Sequence, residues 1–186
     1  GIALNGTESE ARGNVISTDS VALALNNSAL VLSGANNRVV SNRIDKTCFG
    51  ITATGSSHVL EGNDISALKM NGRCGDVDYV RIFGPNHVVR GNNFHGTNRA
   101  ETGAAHVDCV QSFDNSGPQY SLTNALIEGN ACSGVDQGVI LSGATHLQSD
   151  GVIIRNNVFT SITSWCAVVT DVSNVRLLNN TCDTTG

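Results

Sequence analysis

The chain is short of several things, and each shortage removes a class of protein. Aromatic residues make up only 4% of its 186 residues, with one Trp, two Tyr and five Phe. That leaves few stacking platforms for single-stranded nucleic acid or for long sugar chains. Lys plus Arg number 11 against 16 Asp plus Glu, the formal charge is −5, and no basic run occurs. Nucleic acid is therefore not an expected partner. No window approaches the roughly 18 apolar residues of a membrane-spanning helix, so the expectations include no membrane partner. A single Met and few basic residues leave little to build helices with, and no stretch holds helical spacing of apolar residues for three turns. None of the six cysteines forms a Cys-x-x-Cys pair, which argues against a zinc site.

What the chain has is a repeat. The stretch His87-Val88-Val89-Arg90-Gly91-Asn92-Asn93-Phe94 returns with variations along the whole length: an apolar pair, a few polar residues, an Asn, then an apolar residue two places on. The anchoring residues are Asn14, Asn42, Asn63, Asn92, Asn130, Asn157 and Asn180, separated by 28, 21, 29, 38, 27 and 23 residues. A period in that range signals a solenoid. The apolar pieces are short, rich in Val, Ile and Leu, and alternate with polar residues, which is strand periodicity. Further strand-like pieces lie between most anchors, for example Val21 to Leu25, Gly50 to Gly55, Asp78 to Phe83, Asp108 to Phe113, Gly138 to Gly143 and Ala167 to Asp171. Two or three short strands per turn with Gly, Asn and Ser corners describe a coil of parallel β-helix. The anchor Asn suits a corner because Asn tolerates the left-handed region and bonds locally; stacked, the anchors can form an internal ladder.

The segments Gly34-Ala35-Asn36-Asn37-Arg38-Val39, Gly55-Ser56-Ser57-His58-Val59 and Gly84-Pro85-Asn86-His87-Val88 each run into such a corner. Through them the chain resembles right-handed parallel β-helix proteins of the pectin-lyase-like superfamily, with the repeat common to carbohydrate-binding and sugar-hydrolase β-helices. The resemblance covers almost the whole chain. It implies an all-β, right-handed, single-stranded parallel β-helix of about seven turns, forming one domain over residues 1–186. It implies much less about activity, since that superfamily holds lyases, hydrolases, epimerases, tailspikes and adhesins, and fold does not fix function. The chain lacks the Asn-Thr-Asp and Gly-His-Gly strings of polygalacturonase-like hydrolases and has no clear match to the pectate-lyase arginine motif.

The sequence opens in repeat-like text without a signal peptide and ends just past a corner at Cys182-Asp183-Thr184-Thr185-Gly186, with no capping helix legible at either end. The expectation is a piece of a longer chain or a minimal protein whose ends are capped by additional segments or subunits. Cys132 and Cys182 occupy the place held by Ile44, Ile65, Phe94 and Phe159 in other repeats and read as buried small hydrophobes. Cys48, Cys74 and Cys166 sit in less regular text and are candidates to include a disulfide, with the pairing open. Sequons at Asn5, Asn26 and Asn179 are compatible with a secreted or extracellular protein.

Insertions gather in the middle turns, at 66–77, 94–106 and 114–123, the last carrying Pro118 and Tyr120; loops grafted on a rigid solenoid tend to build its binding face. Aligned on Ile51, Val80, Val110 and Val139, the middle strands put Asp78, Asp108 and Gln137 in one column. Asp76 and His106 lie two places earlier, and Arg81 and Gln111 one place after the valines, pointing outward. Turns stack about 4.8 Å apart, which makes Asp78 and Asp108 close neighbours.

Three chemistries could use this block. Glycoside hydrolysis needs two carboxyls, about 5–5.5 Å apart for retention and about 6.5–9.5 Å for inversion; Asp78 and Asp108 favour the shorter spacing, and Asp76 or Asp136 could supply the longer. Uronate elimination needs a base and a cation, which His106 and Arg81 could provide, or a calcium ion held by Asp76, Asp78 and Asp108. Epimerisation would use similar proton abstraction. The bland alternatives are that facing Asp residues cap corners or bind a structural ion, that His58, His87 and His146 are corner hydrogen-bonders, and that Trp165 packs. The expected function is cleavage of a polysaccharide, by hydrolysis or elimination, through Asp108, His106, Asp78, Gln111 and Arg81. Asp76, Asp136, Gln137 and Trp165 would bind substrate, with no cofactor required unless calcium serves. The alternative is a non-catalytic carbohydrate-binding or structural module, such as part of a tailspike, adhesin or surface protein.

Overall fold

The computed structural model describes residues 1–17, 28–70, 74–113, 121–143 and 149–185. Seven repeats each contribute one strand to each of three parallel sheets. The first sheet stacks Ile2–Leu4, Ser28–Leu32, Phe49–Thr54, Val77–Phe83, Val107–Ser112, Gln137–Ser142 and Trp165–Thr170 in chain order. The second stacks Glu10–Arg12, Arg38–Val40, Val59–Glu61, Val88–Arg90, Leu126–Glu128, Ile153–Arg155 and Arg176–Leu178. The third runs from Val15–Ser17 through Arg43–Asp45, Asp64–Ser66, Asn93–His95, Ala131–Ser133 and Val158–Ile162 to Thr181–Thr184. Every pairing is with the next turn and parallel, so the chain is a parallel β-helix of seven turns; among the described residues it carries one short 3-10 helix, Arg99–Glu101, on its surface. The strand expected over Val21 to Leu25, and Pro118, Tyr120, His146 and the Asn26 sequon, lie outside the described residues.

The interior is a column of Val, Ile, Leu and Phe, including Leu30, Ile51, Val80, Val110 and Val139 from the first sheet and Val39, Leu60, Val89, Ile127 and Ile154 from the second. Such a stack buries its apolar residues turn upon turn, which is where a short-stranded fold gets its driving force.

All seven anchor asparagines form the expected ladder. In each turn from Asn14 to Asn157, the backbone N–H and the side-chain Nδ2 both donate to Oδ1 of the next anchor, at 2.8–3.0 Å. From Asn42 onward Nδ2 also donates to a carbonyl of the preceding turn, so the buried amides are satisfied on every side. One detail is corrected: the left-handed residue at this corner is not the anchor but the one before it, Gly13, Ser41, Gly62, Gly91, Gly129, Asn156 and Asn179, with φ between 52° and 65°. The anchor is chosen for its amide; its neighbour makes the bend.

A second interior column precedes the second-sheet strands. Ser9 N–H donates to Asn37 Oδ1, Asn37 N–H to His58 Nδ1 and His58 N–H to His87 Nδ1, at 2.9, 3.1 and 3.2 Å. The ring Nε2–H groups of His58 and His87 donate to the carbonyls of Thr54 and Phe83 at 2.8 and 2.9 Å. Both histidines are corner hydrogen-bonders.

Between the first and third sheets the turns face side chain to side chain. Tyr79 packs on Phe94, with ring centroids 5.4 Å apart. A Cβ at Gly50 would collide with the Tyr79 carbonyl and Ile65, and one at Gly138 with the Cys166 carbonyl and the Phe159 ring. Small residues thus stand opposite large ones. In two turns the same facing positions hold cysteines, and the reading of Cys132 and Cys182 as unbonded hydrophobes is overturned: Cys109 bonds Cys132 and Cys166 bonds Cys182. Cys48 bonds Cys74, outside the main core against Phe49. Among the described residues no cysteine is free, and three disulfides suit an oxidising compartment.

Candidate functional site

The outer face of the first sheet carries the predicted column. Register pairs Phe49, Asp78, Asp108, Gln137 and Trp165 across five successive turns. The next outward row pairs Thr52, Arg81, Gln111 and Ile140. Each strand skips one residue between the rows, at Gly50, Tyr79, Cys109, Gly138 and Cys166, and that residue turns inward to the third sheet. The local shift lets Asp78 and Asp108 stay outside the apolar core while their neighbours fill it.

Arg81 organises the cluster. Its Nε–H donates to Asp78 Oδ2 at 2.6 Å, Nη2 lies 2.6 Å from the same oxygen, and Nη2 donates to Asp76 Oδ2 at 2.7 Å. The guanidinium sits 4.0 Å from the Phe49 ring centroid and 5.3 Å from that of Phe113, so it is both ion-paired and stacked. Gln111 Nε2 donates to Asp108 Oδ2 at 3.1 Å. Asp78 and Asp108 are 0% and 1% exposed. One oxygen of each, Oδ1, has no hydrogen-bond partner among the described residues, and neither has Gln111 Oε1.

Burial is the main reason both carboxyls resist ionisation. Asp108 is pushed up to about 7 by burial, then by the charges of Asp76 and Asp136, against the opposing pull of Arg81 and a hydrogen bond with Asp78. Asp78 is raised well above the carboxylate range by burial and by Asp108 and Asp76, despite the Arg81 guanidinium beside it. Two such carboxyls one rung apart influence each other's titration, so ionising one makes ionising the other costlier.

The remaining predicted residues divide. Asp136 belongs to the frame: it accepts from the Val107 N–H at 3.0 Å and from Thr163 Oγ1 at 2.9 Å, and it pairs with Arg99 at 2.8 Å. Arg99 also donates to the Ala105 carbonyl at 2.6 Å within the 94–106 loop, so its pair with Asp136 ties that loop to the following turn. Gln137 is half-buried beside Asp108 in register. Trp165 is 61% exposed, so it does not pack in the core. His106 is exposed and makes no hydrogen bond or ion pair among the described residues; the structure brings Asp76, Asp78, Arg81, Asp108 and Gln111 together but leaves His106 at the margin. Sequence reasoning missed Phe49 and Phe113 as the guanidinium's walls. Phe49 shares the Asp column and signalled itself there; Phe113 carried no such signal.

A narrow, largely buried gap beside Ser112, Leu141 and Val172 and a surface cleft beside Thr123, Asp150 and Asn174 include neither Asp78 nor Asp108. Among the described residues no group of three His, Cys, Asp or Glu side chains is arranged to hold a metal ion. Among the described residues no helix is long and apolar enough to cross a membrane. Compared with protein-family models and with curated proteins, the chain has no match.

Proposed function

We propose that this chain is a secreted, carbohydrate-active β-helix of the pectin-lyase-like kind that cleaves a polysaccharide, with Asp108 and Asp78 as its proton-transfer pair. The observation that carries the reading is the pair itself: two in-register carboxyls, both buried, both held toward the protonated form near neutral pH, each with an oxygen unmet. Perturbed acids of this kind are what acid–base chemistry at neutral pH requires. In hydrolysis a carboxyl proton passes to the glycosidic oxygen as the C–O bond breaks. Water supplies the oxygen to the anomeric carbon and returns a proton to the carboxylate left behind. Arg81 positions Asp78 and Gln111 positions Asp108, while Asp76 beside Arg81, and Gln137 and Trp165 in the following turns of the same column, serve as substrate contacts. Because both carboxyls are buried, substrate reaches them only when the side chains above them, Gln111 first, move aside.

The same burial favours a second reading, a non-catalytic carbohydrate-binding or structural module in which the pair only stiffens two turns. A panel of polysaccharides, followed both by reducing-end release and by absorbance of unsaturated uronates, separates the two. Reducing ends without absorbance, lost by at least ~100-fold in Asp108→Asn, is the expected result. Absorbance rising with the reducing ends would move the chemistry to elimination. Unchanged turnover in Asp108→Asn would overturn the assignment, and silence across the panel from folded protein would favour the module.

A further inference from the structure

Arg81 is the cation paired with the buried Asp78, so whatever holds its guanidinium in place also acts on the carboxyl pair. An arginine at an outward strand position ordinarily extends its charge into water. Here only 16% of the side chain is open, because Arg81 lies between rings from the turns on either side. Phe49 comes from the turn before, paired with Asp78 in register, and its ring centroid is 4.0 Å from the guanidinium carbon. Phe113 follows the strand of the next turn, at 5.3 Å, and meets Phe83 edge to face. Rings on the faces leave the edges of the guanidinium for the acids: Nε and Nη2 meet Asp78, and Nη2 meets Asp76.

One disulfide belongs to the same arrangement. Cys109–Cys132 and Cys166–Cys182 cross the coil between the first and third sheets, whereas Cys48–Cys74 lies outside the main core in a cluster with Phe49 and Met70. Cys48 immediately precedes Phe49, and Cys74 stands two residues before Asp76. A single covalent bond thus ties together the two segments that meet Arg81 on a face and on an edge. We propose that Phe49 is a positioning residue for the carboxyl pair: its ring, backed by the Cys48–Cys74 disulfide, holds Arg81 in the plane that engages Asp78 and Asp76. It acts through Arg81 and not on a substrate. Its consequence for turnover rests on the glycan-cleaving reading above, while its consequence for the titration of the pair does not. Arg81 favours the ionised form of both Asp78 and Asp108, against burial, against Asp76 and, at Asp108, against Asp136, which Arg99 also meets. An Arg81 released from its wall therefore leaves both carboxyls harder to ionise.

The test is an NMR titration of the aspartate carboxyl carbons, which needs no substrate, run beside the pH–rate profile on a glycan the protein cleaves. Phe49→Leu keeps apolar bulk and removes the ring face. It is expected to move the Asp108 midpoint upward from about 7, and to lower kcat roughly tenfold with KM nearly unchanged. Phe49→Tyr keeps the face and is expected to keep both values. Phe113→Leu removes the farther ring and should move the midpoint the same way by less. The double variant Cys48→Ala with Cys74→Ala removes the backing and should act like Phe49→Leu. Phe159→Leu removes a buried ring of the third sheet, opposite Gly138, and should leave the midpoint in place. A midpoint unmoved in folded Phe49→Leu, or moved as far by Phe159→Leu, would overturn the role of Phe49. An unmoved midpoint in the cysteine double variant would overturn the part given to the disulfide. A midpoint that moves as expected in a protein that cleaves no glycan would overturn the parent reading and leave the positioning role standing.

Discussion

Two pairs of titratable side chains are stacked one rung apart within three consecutive turns, and they are built on opposite rules. His58 and His87 lie inside the coil with rings 5.2 Å apart, and every ring nitrogen has a partner: Nδ1 accepts a backbone N–H and Nε2–H donates to a carbonyl. Asp78 and Asp108 lie on the outer face, equally hidden from solvent, with one oxygen of each unmet. Both pairs are pushed toward neutrality by burial, the histidines downward and the aspartates upward. The difference is completeness. A buried polar group whose bonds are all made belongs to the scaffold, while one left incomplete is where a scaffold tolerates a cost for another purpose. The histidine pair marks what this fold does when a side chain only has to hold a corner.

Breaking the complete pair is expected to have the largest effect. Replacing His87, which is 0% exposed, with Ala removes a packed ring, takes the acceptor from the His58 N–H and removes a donor to the Phe83 carbonyl. The expected cost is about 3–5 kcal/mol, read as a lower midpoint in denaturant unfolding. The same residue should shape the acid limb of the stability curve. His87 ionises near 4 in the fold against an ordinary 6.5, so between those values the unfolded chain holds more protons. Stability from this group is full above about pH 6.5 and is lost as pH falls, by roughly 3 kcal/mol over the window. A limb as steep in His87→Ala as in the wild type would assign acid sensitivity to other groups.

Completing the incomplete pair should act in the opposite direction and less strongly. Asp108 ionises near 7 in the fold against an ordinary 3.8, so the folded chain holds the extra proton between those values and its contribution falls as pH rises. At pH 8 the carboxylate is desolvated and faced by Asp76 and Asp136. Asp108→Asn is therefore expected to stabilise the protein there by about 1–3 kcal/mol and to be neutral or mildly destabilising near pH 5, where the native carboxyl is protonated. A melting-temperature change of the same sign at both pH values would mean that the pair is not held toward its neutral form.

Much of this architecture was legible because it is periodic. The seven anchor asparagines, the strand pieces and the column of Asp78, Asp108 and Gln137 can be read from spacing alone, since a solenoid converts sequence offset into spatial adjacency. What spacing along one column cannot convey is what faces it across the coil. Cys132 and Cys182 look like members of an Ile and Phe column and are; their partners Cys109 and Cys166 come from the opposite wall at the skipped position of the first sheet. His106 stands off the cluster for a related reason: it precedes the strand that begins at Val107, where the alternation that orients Asp108 does not apply. Burial of the aspartates was likewise hidden, because outward-pointing describes a direction from the coil and not exposure to water.

The smallest expected effect is the most discriminating for the rule that completeness marks scaffold. In the turn before His58, the equivalent place is held by Asn37, whose Oδ1 accepts the Ser9 N–H at 2.9 Å and whose Nδ2 donates to the Ser33 carbonyl, four residues back, at 2.9 Å. His58 does the same with Nδ1 toward the Asn37 N–H and Nε2 toward the Thr54 carbonyl, also four residues back. The amide and the imidazole are thus two solutions to one corner, differing in volume and in the ability to take a proton. His58→Asn should keep both bonds and lose only the ring's packing against His87, at a cost under about 1 kcal/mol near pH 7. Because burial lowers the His58 pKa, the substitution also removes a group that draws protons on unfolding, so its cost should shrink or reverse as pH falls below about 6. Unfolding midpoints for wild type and His58→Asn at pH 7 and pH 5 decide it. A penalty as large as that of His87→Ala at both values would mean that the stacked rings themselves, and not the completed hydrogen bonds, hold this column together.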